Sequence, residues 1–213
     1  MSQVALIFFS SLLIAYSGAM MPGPMLAVVV TESPKQGFKA GPLVVLGHAM
    51  LELVLLVALV IGFGSLLERG GVKATLAIAG GTMLVWTAIS MIVAVARGRA
   101  KLDFSEGGGA SRRRTVVGGI VSSLSNPYWT IWWATIGMGL LTKAYAIGVA
   151  GLVAFYVGHI LGDLTWYSAV SGIVAAGRRW ITPRVYRTML MVAAAFLLAL
   201  AGWFLYSGIV FVA

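Results

Sequence analysis

Long apolar runs separated by short polar stretches are the main pattern along this chain. Six runs come close to or exceed the roughly 20 residues that cross a bilayer as a helix, at about 2–21, 42–64, 73–96, 115–139, 145–172 and 188–211. They lack the alternation of apolar and polar residues that marks the strands of a membrane barrel. The pattern therefore predicts an all-α membrane protein with six transmembrane helices.

Composition agrees with this prediction. The chain has 213 residues, of which 60% are hydrophobic and 10% are charged, whereas a soluble domain carries about 25% charged residues. It cannot cover itself with polar surface, so we expect a single integral-membrane domain over residues 1–213 with the lipid bilayer as its solvent. The absence of cysteine excludes disulfides, thiol catalysis and thiolate metal sites.

Charge between the runs predicts the orientation. Of the 15 lysine and arginine residues, twelve lie in connections one, three and five and three lie in connections two and four. Under the positive-inside rule this bias places the odd connections in the cytoplasm and both termini outside, in a multi-pass protein of the cell membrane. The same rule explains the basic pI without a nucleic-acid partner.

A basic, glycine-rich stretch at 99–114 predicts a flexible cytoplasmic linker between two halves, about 1–98 and 115–213. Each half has three predicted spans. A repeat with an odd number of spans enters the membrane from the opposite side the second time. We therefore expect two inverted three-helix repeats, an arrangement that many secondary transporters share.

Two short passages repeat the same polar pattern inside apolar runs. Gly47-His48 is followed by Glu52, and Gly158-His159 is followed by Asp163, with an offset of 111 residues between the passages. The two histidines are the only ones in the chain. Residues at i and i+4 share a helix face, and a bare carboxylate in a bilayer costs at least ~2.5 kcal/mol. We predict that these four residues couple transport to protons; structural hydrogen bonds between helices are the alternative.

Two motifs, Met21-Pro22-Gly23-Pro24 and Ser125-Asn126-Pro127, predict interrupted helices. Proline removes a backbone donor and clashes with the preceding turn. The half-helix that follows such a break offers free N–H groups to an anionic group. Trp129 and Trp133 share a face after the second break and could form a wall against substrate, although such tryptophans often lie at the membrane interface. The predicted substrate-binding residues are Pro22, Gly23, Pro24, Ser125, Asn126, Pro127, Trp129 and Trp133. Kinks that only shape packing are the alternative.

These motifs also carry a family resemblance. Met21-Pro22-Gly23-Pro24, the basic stretch 35–41, Leu46-Gly47-His48 with Glu52, and Leu124-Ser125-Asn126-Pro127 resemble the LysE-type translocators, the lysine and homoserine/threonine exporter superfamily. The resemblance covers nearly the whole chain and implies export of amino acids or similar small metabolites, driven by the proton gradient. Tyr128 stands where many members have lysine, and Glu52 stands where aspartate is commoner, which leaves the substrate open.

The sequence thus favours a secondary-active exporter that works by proton-coupled antiport and alternating access, with no cofactor and no resident metal. Its expected partners are a small-molecule substrate and lipid, and a homodimer is left open. The alternatives are a heavy-metal cation exporter of the same superfamily, an intramembrane hydrolase that pairs Glu52 with Asp163, and a membrane scaffold. Two histidines and two carboxylates without cysteine make a poor soft-metal site.

Overall fold

The computed structural model describes residues 2–21, 23–63, 70–98, 111–177 and 182–212, and within these ranges the chain is helical and without strands. Pro22 and most of the predicted linker lie outside the described residues. The helices are α1 (Gln3–Ala19), α2 (Pro24–Gln36), α3 (Ala40–Ala58), α4 (Gly70–Ala96), α5 (Arg112–Leu124), α6 (Pro127–Trp132), α7 (Met138–Ile147), α8 (Val149–Ala176) and α9 (Pro183–Val212).

Both predicted helix breaks are present. Helix α1 ends at Ala19 and α2 begins at Pro24, the first helical position, where a missing N–H costs nothing. Helix α5 ends at Leu124 and α6 begins at Pro127, with the side chain of Asn126 accepting a hydrogen bond from the Tyr128 backbone N–H. Each break therefore leaves the start of a new helix inside the molecule.

The helix boundaries differ from the predicted spans most strongly after the two breaks. Residues 24–36, expected to form much of connection one, are helical and turn into α3 through a short 3-10 helix, Gly37–Lys39. After the second break, α6 passes through one π-helical segment, Trp133–Gly137, and then into α7, so helix extends to Ile147. Proline fixes where these helices start, but it does not limit how far they continue.

Three helical stretches in the described chain are long and apolar enough to cross a membrane: Pro24–Gly62, Val149–Ala176 and Leu190–Val210. Gln3–Ala19 and Leu84–Ala96 are shorter apolar helices. These lengths fit an integral membrane protein. The count of six spans and the orientation of the termini stay predictions.

Helices α3 and α8 cross in antiparallel directions at the centre of the molecule. Near the start of α3, Val44 and Val45 share an apolar cluster with Tyr167, which is late in α8. Near the end of α3, Leu56 shares a second cluster with Phe155, which is early in α8. The middle of each helix therefore faces the middle of the other, between two apolar clusters.

Each of these central helices has a second neighbour that it touches backbone to backbone. A Cβ added at Gly47 of α3 would lie 1.9 Å from the Val116 carbonyl oxygen of α5, and one added at Gly158 of α8 would lie 2.5 Å from the Phe8 carbonyl oxygen of α1. Small residues permit such close packing between membrane helices. Gly47 and Gly158, which precede the two histidines, therefore allow α3 to approach α5 closely and α8 to approach α1 closely.

Helices α4 and α9 form a separate pair, sealed by an apolar cluster of leucine and alanine: Leu84, Ala88, Ala194, Leu197 and Ala201. This pair contacts the remainder of the bundle through Tyr128 of α6, which packs against the cluster, and through Leu190 of α9, which shares a second apolar cluster with Val30 of α2 and Val174 of α8. The polar centre of the protein is built from the other helices.

Candidate functional site

Four ionisable side chains meet where α3 and α8 cross. His48, Glu52, His159 and Asp163, which we name the tetrad, are all buried, with at most 5% of any one of these residues exposed. One ligand atom from each lies within 4.8 Å of the others. In so apolar a surrounding, these charges stabilise one another or bind a charged group, because an isolated ion is costly to bury.

The tetrad is held together by contacts along and between helices. Within α3, His48 Nε2 lies 3.1 Å from Glu52 Oε1, as the i, i+4 spacing predicts. Within α8, His159 Nε2 lies 3.4 Å from Asp163 Oδ2.

The contacts between helices follow from their antiparallel crossing. His48 of α3 lies opposite Asp163 of α8, with 3.2 Å between Nε2 and Oδ2. His159 lies opposite Glu52, with 3.1 Å between Nε2 and Oε2. Each histidine therefore touches both carboxylates, and each carboxylate touches both histidines.

Glu52 is additionally fixed by two indole groups. The Nε1–H groups of Trp129 and Trp133 both donate to Glu52 Oε1 at 2.8 Å. The two tryptophans are four residues apart across the start of the π-helical segment, so their rings lie on the same side of the helix. Charge-assisted hydrogen bonds of this kind stabilise the ionised form of a buried carboxylate. The described part of the chain gives Asp163 no such donors.

The two histidines have different surroundings. His48 Nδ1 lies 2.7 Å from Ser123 Oγ on α5, which ties the imidazole to a polar partner. His159 Nδ1 has no hydrogen-bond partner among the described residues. Its ring instead packs against Trp132, with 4.6 Å between ring centroids, and stacks on Phe155 at 6.3 Å. Polar contact thus orients one imidazole and aromatic packing orients the other.

The tetrad forms one wall of a pocket that contains about 500 Å³ of empty space, its open mouth included. The pocket also reaches both helix breaks, through Gly23 and Asn126. Its remaining lining is mostly small or aromatic: Ala15, Gly18, Ala19, Met21, Met25, Ser123, Tyr128, Trp129, Trp132 and Tyr167. No lysine or arginine is among these lining residues, and all the histidines and carboxylates of the lining belong to the tetrad.

The predicted substrate-binding residues are only partly gathered in this pocket. Gly23, Asn126 and Trp129 line it. Trp133 is not among the lining residues, but its indole donates a hydrogen bond to Glu52 of the tetrad. Pro24 is buried at the start of α2, and the Ser125 hydroxyl donates to the Ser122 carbonyl. Pro127 begins α6. Their roles in binding substrate stay predictions.

Sequence reasoning missed Ser123, the hydroxyl partner of His48. A signal was present, because Gly119 and Ser123 lie four residues apart and so share one face of α5. A Cβ added at Gly119 would lie 2.0 Å from the Val44 carbonyl oxygen of α3. A small residue followed one turn later by a hydroxyl indicates a helix face that touches another helix.

Comparison with known proteins identifies the class of molecule to which this fold and pocket belong. The profile of the LysE type translocator family matches residues 16–208. Because the match covers most of the chain, the protein belongs to this family, as its motifs suggested. Membership in a translocator family indicates a transporter and not an intramembrane enzyme.

A relative from Bacillus subtilis (strain 168) bears the name "Putative amino acid efflux protein YcgF". It is 27% identical to this chain over 205 residues, which cover 95% of this chain and 97% of the relative. No solved structure matches the chain.

Proposed function

We propose that this protein exports amino acids across the cell membrane in exchange for protons. The observation that carries the proposal is a pocket whose lining combines two buried carboxylates and two buried histidines with residues of two helix breaks. Family membership supplies the class of activity, and the name of the Bacillus subtilis relative suggests the substrate class. The energy source in this proposal is the proton gradient, and no cofactor is required.

The two charged groups of an amino acid match two parts of the pocket. Helix α2 begins at Pro24 without a side-chain cap, so the first backbone N–H groups of α2 can receive the substrate carboxylate. At the second break, Asn126 already occupies one such N–H group, that of Tyr128. We therefore assign the substrate carboxylate to the start of α2.

The substrate ammonium group is assigned to the tetrad, and to Asp163 in particular. Glu52 Oε1 already accepts two indole hydrogen bonds, whereas the described residues give Asp163 no indole donor; Glu52 Oε2 and Asp163 Oδ2 both lack an aligned hydrogen bond from the described residues. In the proposed cycle, either the ammonium group or a proton neutralises Asp163, which makes their binding mutually exclusive. Mutual exclusion at one site is what exchange of substrate for protons requires.

The architecture supports an inverted repeat and hence alternating access. Helix α3 runs antiparallel to α8, its counterpart in the second half, and α3 packs on α5 much as α8 packs on α1. Gly37 and Gly148, each with positive φ at the turn before these helices, share the 111-residue offset of the two histidines. One half rocking against the other around the tetrad would open the pocket to each side in turn. The charge of the connections supports cytoplasmic odd connections.

Reconstitution in liposomes tests the proposal. Vesicles loaded with radiolabelled neutral or basic amino acids and given an outwardly acidic pH gradient should release label about tenfold faster than protein-free vesicles. Asp163→Asn should reduce that release to the rate of protein-free vesicles, because the amide cannot exchange a proton. Glu32→Gln, a carboxylate substitution outside the tetrad, is the matched control and should retain release.

Two results would overturn the proposal. One is the absence of flux for every amino acid tested, with protein that elutes as a single species from gel filtration. The other is normal pH-driven release by Asp163→Asn, which would make the tetrad structural.

A further inference from the structure

We propose that the tetrad is also a binding site for one divalent transition-metal ion of intermediate softness, such as Zn²⁺ or Co²⁺. The four histidine–carboxylate contacts are 3.1, 3.2, 3.1 and 3.4 Å long. Ligand atoms about 2.1 Å from a tetrahedral ion lie about 3.4 Å from one another. The four histidine–carboxylate contacts, which use both oxygens of Glu52, are near that spacing, and one donor atom from each residue lies within 4.8 Å of the others, so an ion would have to draw the four donors slightly closer together.

The orientation of His48 supports a cation at this position. The Ser123 hydroxyl lies 2.8 Å from the Gly119 carbonyl and 3.8 Å from Met25 Sδ, and we assign its single proton to the nearer carbonyl. With that assignment, its oxygen accepts from His48 Nδ1–H. A neutral imidazole then presents the lone pair of Nε2 to the oxygens of Glu52 and Asp163. His48 Nε2 lies 3.1 Å from Glu52 Oε1 and 3.2 Å from Asp163 Oδ2. These three electron-rich atoms require a positive charge between them. That charge is either a proton on Nε2 or a bound cation.

The surroundings of the tetrad resemble the outer shell of a metal site. Metal-ligating histidines almost always use their second nitrogen in a hydrogen bond, and ligating carboxylates are hydrogen-bonded in turn. Ser123 fills the first role for His48, and the indoles of Trp129 and Trp133 fill the second for Glu52. Aromatic packing by Trp132 and Phe155 orients the His159 ring.

Charge and donor type select the ion. Two carboxylates and two neutral imidazoles carry a charge of −2, which a divalent ion neutralises, and the pocket lining contains no lysine or arginine to compete with it. Imidazole and carboxylate donors suit Zn²⁺, Co²⁺ and Mn²⁺, whereas thiolate donors suit soft ions. The tetrad is therefore a site for intermediate ions, and Cd²⁺ is not its preferred ligand.

A bound ion would block export, a consequence that rests on the proposed function. The ion would occupy the position assigned to the substrate ammonium group, because both require Asp163. Its effect should be competitive, so that raising the amino acid concentration restores flux. The ion is thus an inhibitory ligand of the export site.

Cobalt titration tests the binding claim directly. Tag-free protein, purified in detergent and stripped with a chelator, should bind one Co²⁺ per chain with the visible absorption of a four-coordinate complex, and Zn²⁺ should displace it. Changing a ligand, as in His159→Gln or His48→Gln, should weaken Co²⁺ binding at least about 100-fold. Ser123→Ala should weaken it about tenfold, as expected for a positioning residue. Glu32→Gln should bind as the wild type does.

Gel filtration of every variant separates loss of the site from loss of the fold. Failure of the stripped wild-type protein to bind Co²⁺ or Zn²⁺, or unchanged Co²⁺ affinity in both histidine variants, would overturn the metal site.

Flux measurements with and without Zn²⁺ separate the two proposals. Inhibition that added amino acid relieves supports both. Flux that Zn²⁺ leaves unchanged, with Zn²⁺ bound, overturns the blocking role alone. Metal binding without any amino acid flux overturns the export proposal and leaves the metal site standing.

Discussion

The first-half pair, His48 and Glu52, and the second-half pair, His159 and Asp163, have the same spacing but different surroundings. Glu52 is fully buried and accepts two indole hydrogen bonds, and its histidine is tied to Ser123. Asp163 lacks indole donors in the described chain, and its histidine is held by aromatic rings. Similar sequence therefore produces one carboxylate with a fixed hydrogen-bond network and one that is open to exchange with a ligand.

This difference has a consequence for mechanism. Both carboxylates contact both histidines, so either could bind a proton or an ammonium group. Displacing a contact of Glu52 would leave indole donors in the interior without an acceptor, which costs about 1–3 kcal/mol for each buried group. Displacing a contact of Asp163 leaves no indole donor unpaired, and both imidazoles keep their contact with Glu52. We therefore interpret Glu52 as the residue that positions the tetrad and Asp163 as the residue that exchanges ligands.

The largest expected effect separates the two acids by stability. Glu52→Gln should lower the free energy of unfolding by about 3 kcal/mol, because two indole hydrogen bonds lose their charged acceptor in addition to the imidazole contacts that both acids make. Asp163→Asn should cost only about 1 kcal/mol. Tryptophan fluorescence during denaturation in detergent measures both, with Glu32→Gln as control. An equal or greater loss for Asp163→Asn would contradict the assignment of roles.

Substitutions at the close helix contacts should lower stability by a comparable or slightly smaller amount. Gly47→Ala places a Cβ against the Val116 carbonyl and should cost about 3 kcal/mol as α3 and α5 separate. Gly158→Ala meets the Phe8 carbonyl at a longer distance and should cost about 2 kcal/mol. Gly139 has nothing within 4 Å of its added Cβ, so Gly139→Ala is the control. Thermal unfolding in detergent measures the three. Equal stability of all three variants would show that these contacts do not hold the halves together.

A smaller effect is expected from one indole. Trp133→Phe keeps an aromatic ring but removes one of the two hydrogen bonds to Glu52 Oε1, which should slow amino acid release about threefold. Trp86→Phe changes an exposed tryptophan on α4 and should leave release unchanged. Initial rates from liposomes measure both. Wild-type release by Trp133→Phe would mean that one indole suffices to orient Glu52.

The smallest effect concerns the second break, which has a side-chain cap that the first break lacks. Asn126→Ala should cost about 1 kcal/mol of stability and change release severalfold, because Asn126 also lines the pocket. Ser2→Ala removes the cap of α1 and should cost a similar amount without changing release. The comparison uses thermal unfolding and flux together. Equal flux in the two variants would limit Asn126 to a structural role.

The sequence alone determined the helical class, the two helix breaks and the two histidine–acid pairs. These features are local: proline and glycine restrict backbone dihedrals where they stand, and i, i+4 residues share a face in any helix. The same locality explains why Gly23 and Asn126 were found at the breaks. It also explains why α2 was missed, since the continuation of a helix past its first turn depends on what it packs against.

Only the tertiary structure decided how these pieces combine. The antiparallel crossing of α3 and α8 pairs each histidine with the acid of the other helix, across more than 100 residues of sequence. Indole donation to Glu52 and the hydroxyl contact at His48 likewise join residues 75–81 positions apart. Such contacts depend on close helix packing at Gly47 and Gly158, where the backbone of a neighbouring helix fills the space a side chain would occupy. Local sequence specifies that a helix can pack closely, and the complete fold specifies its partner.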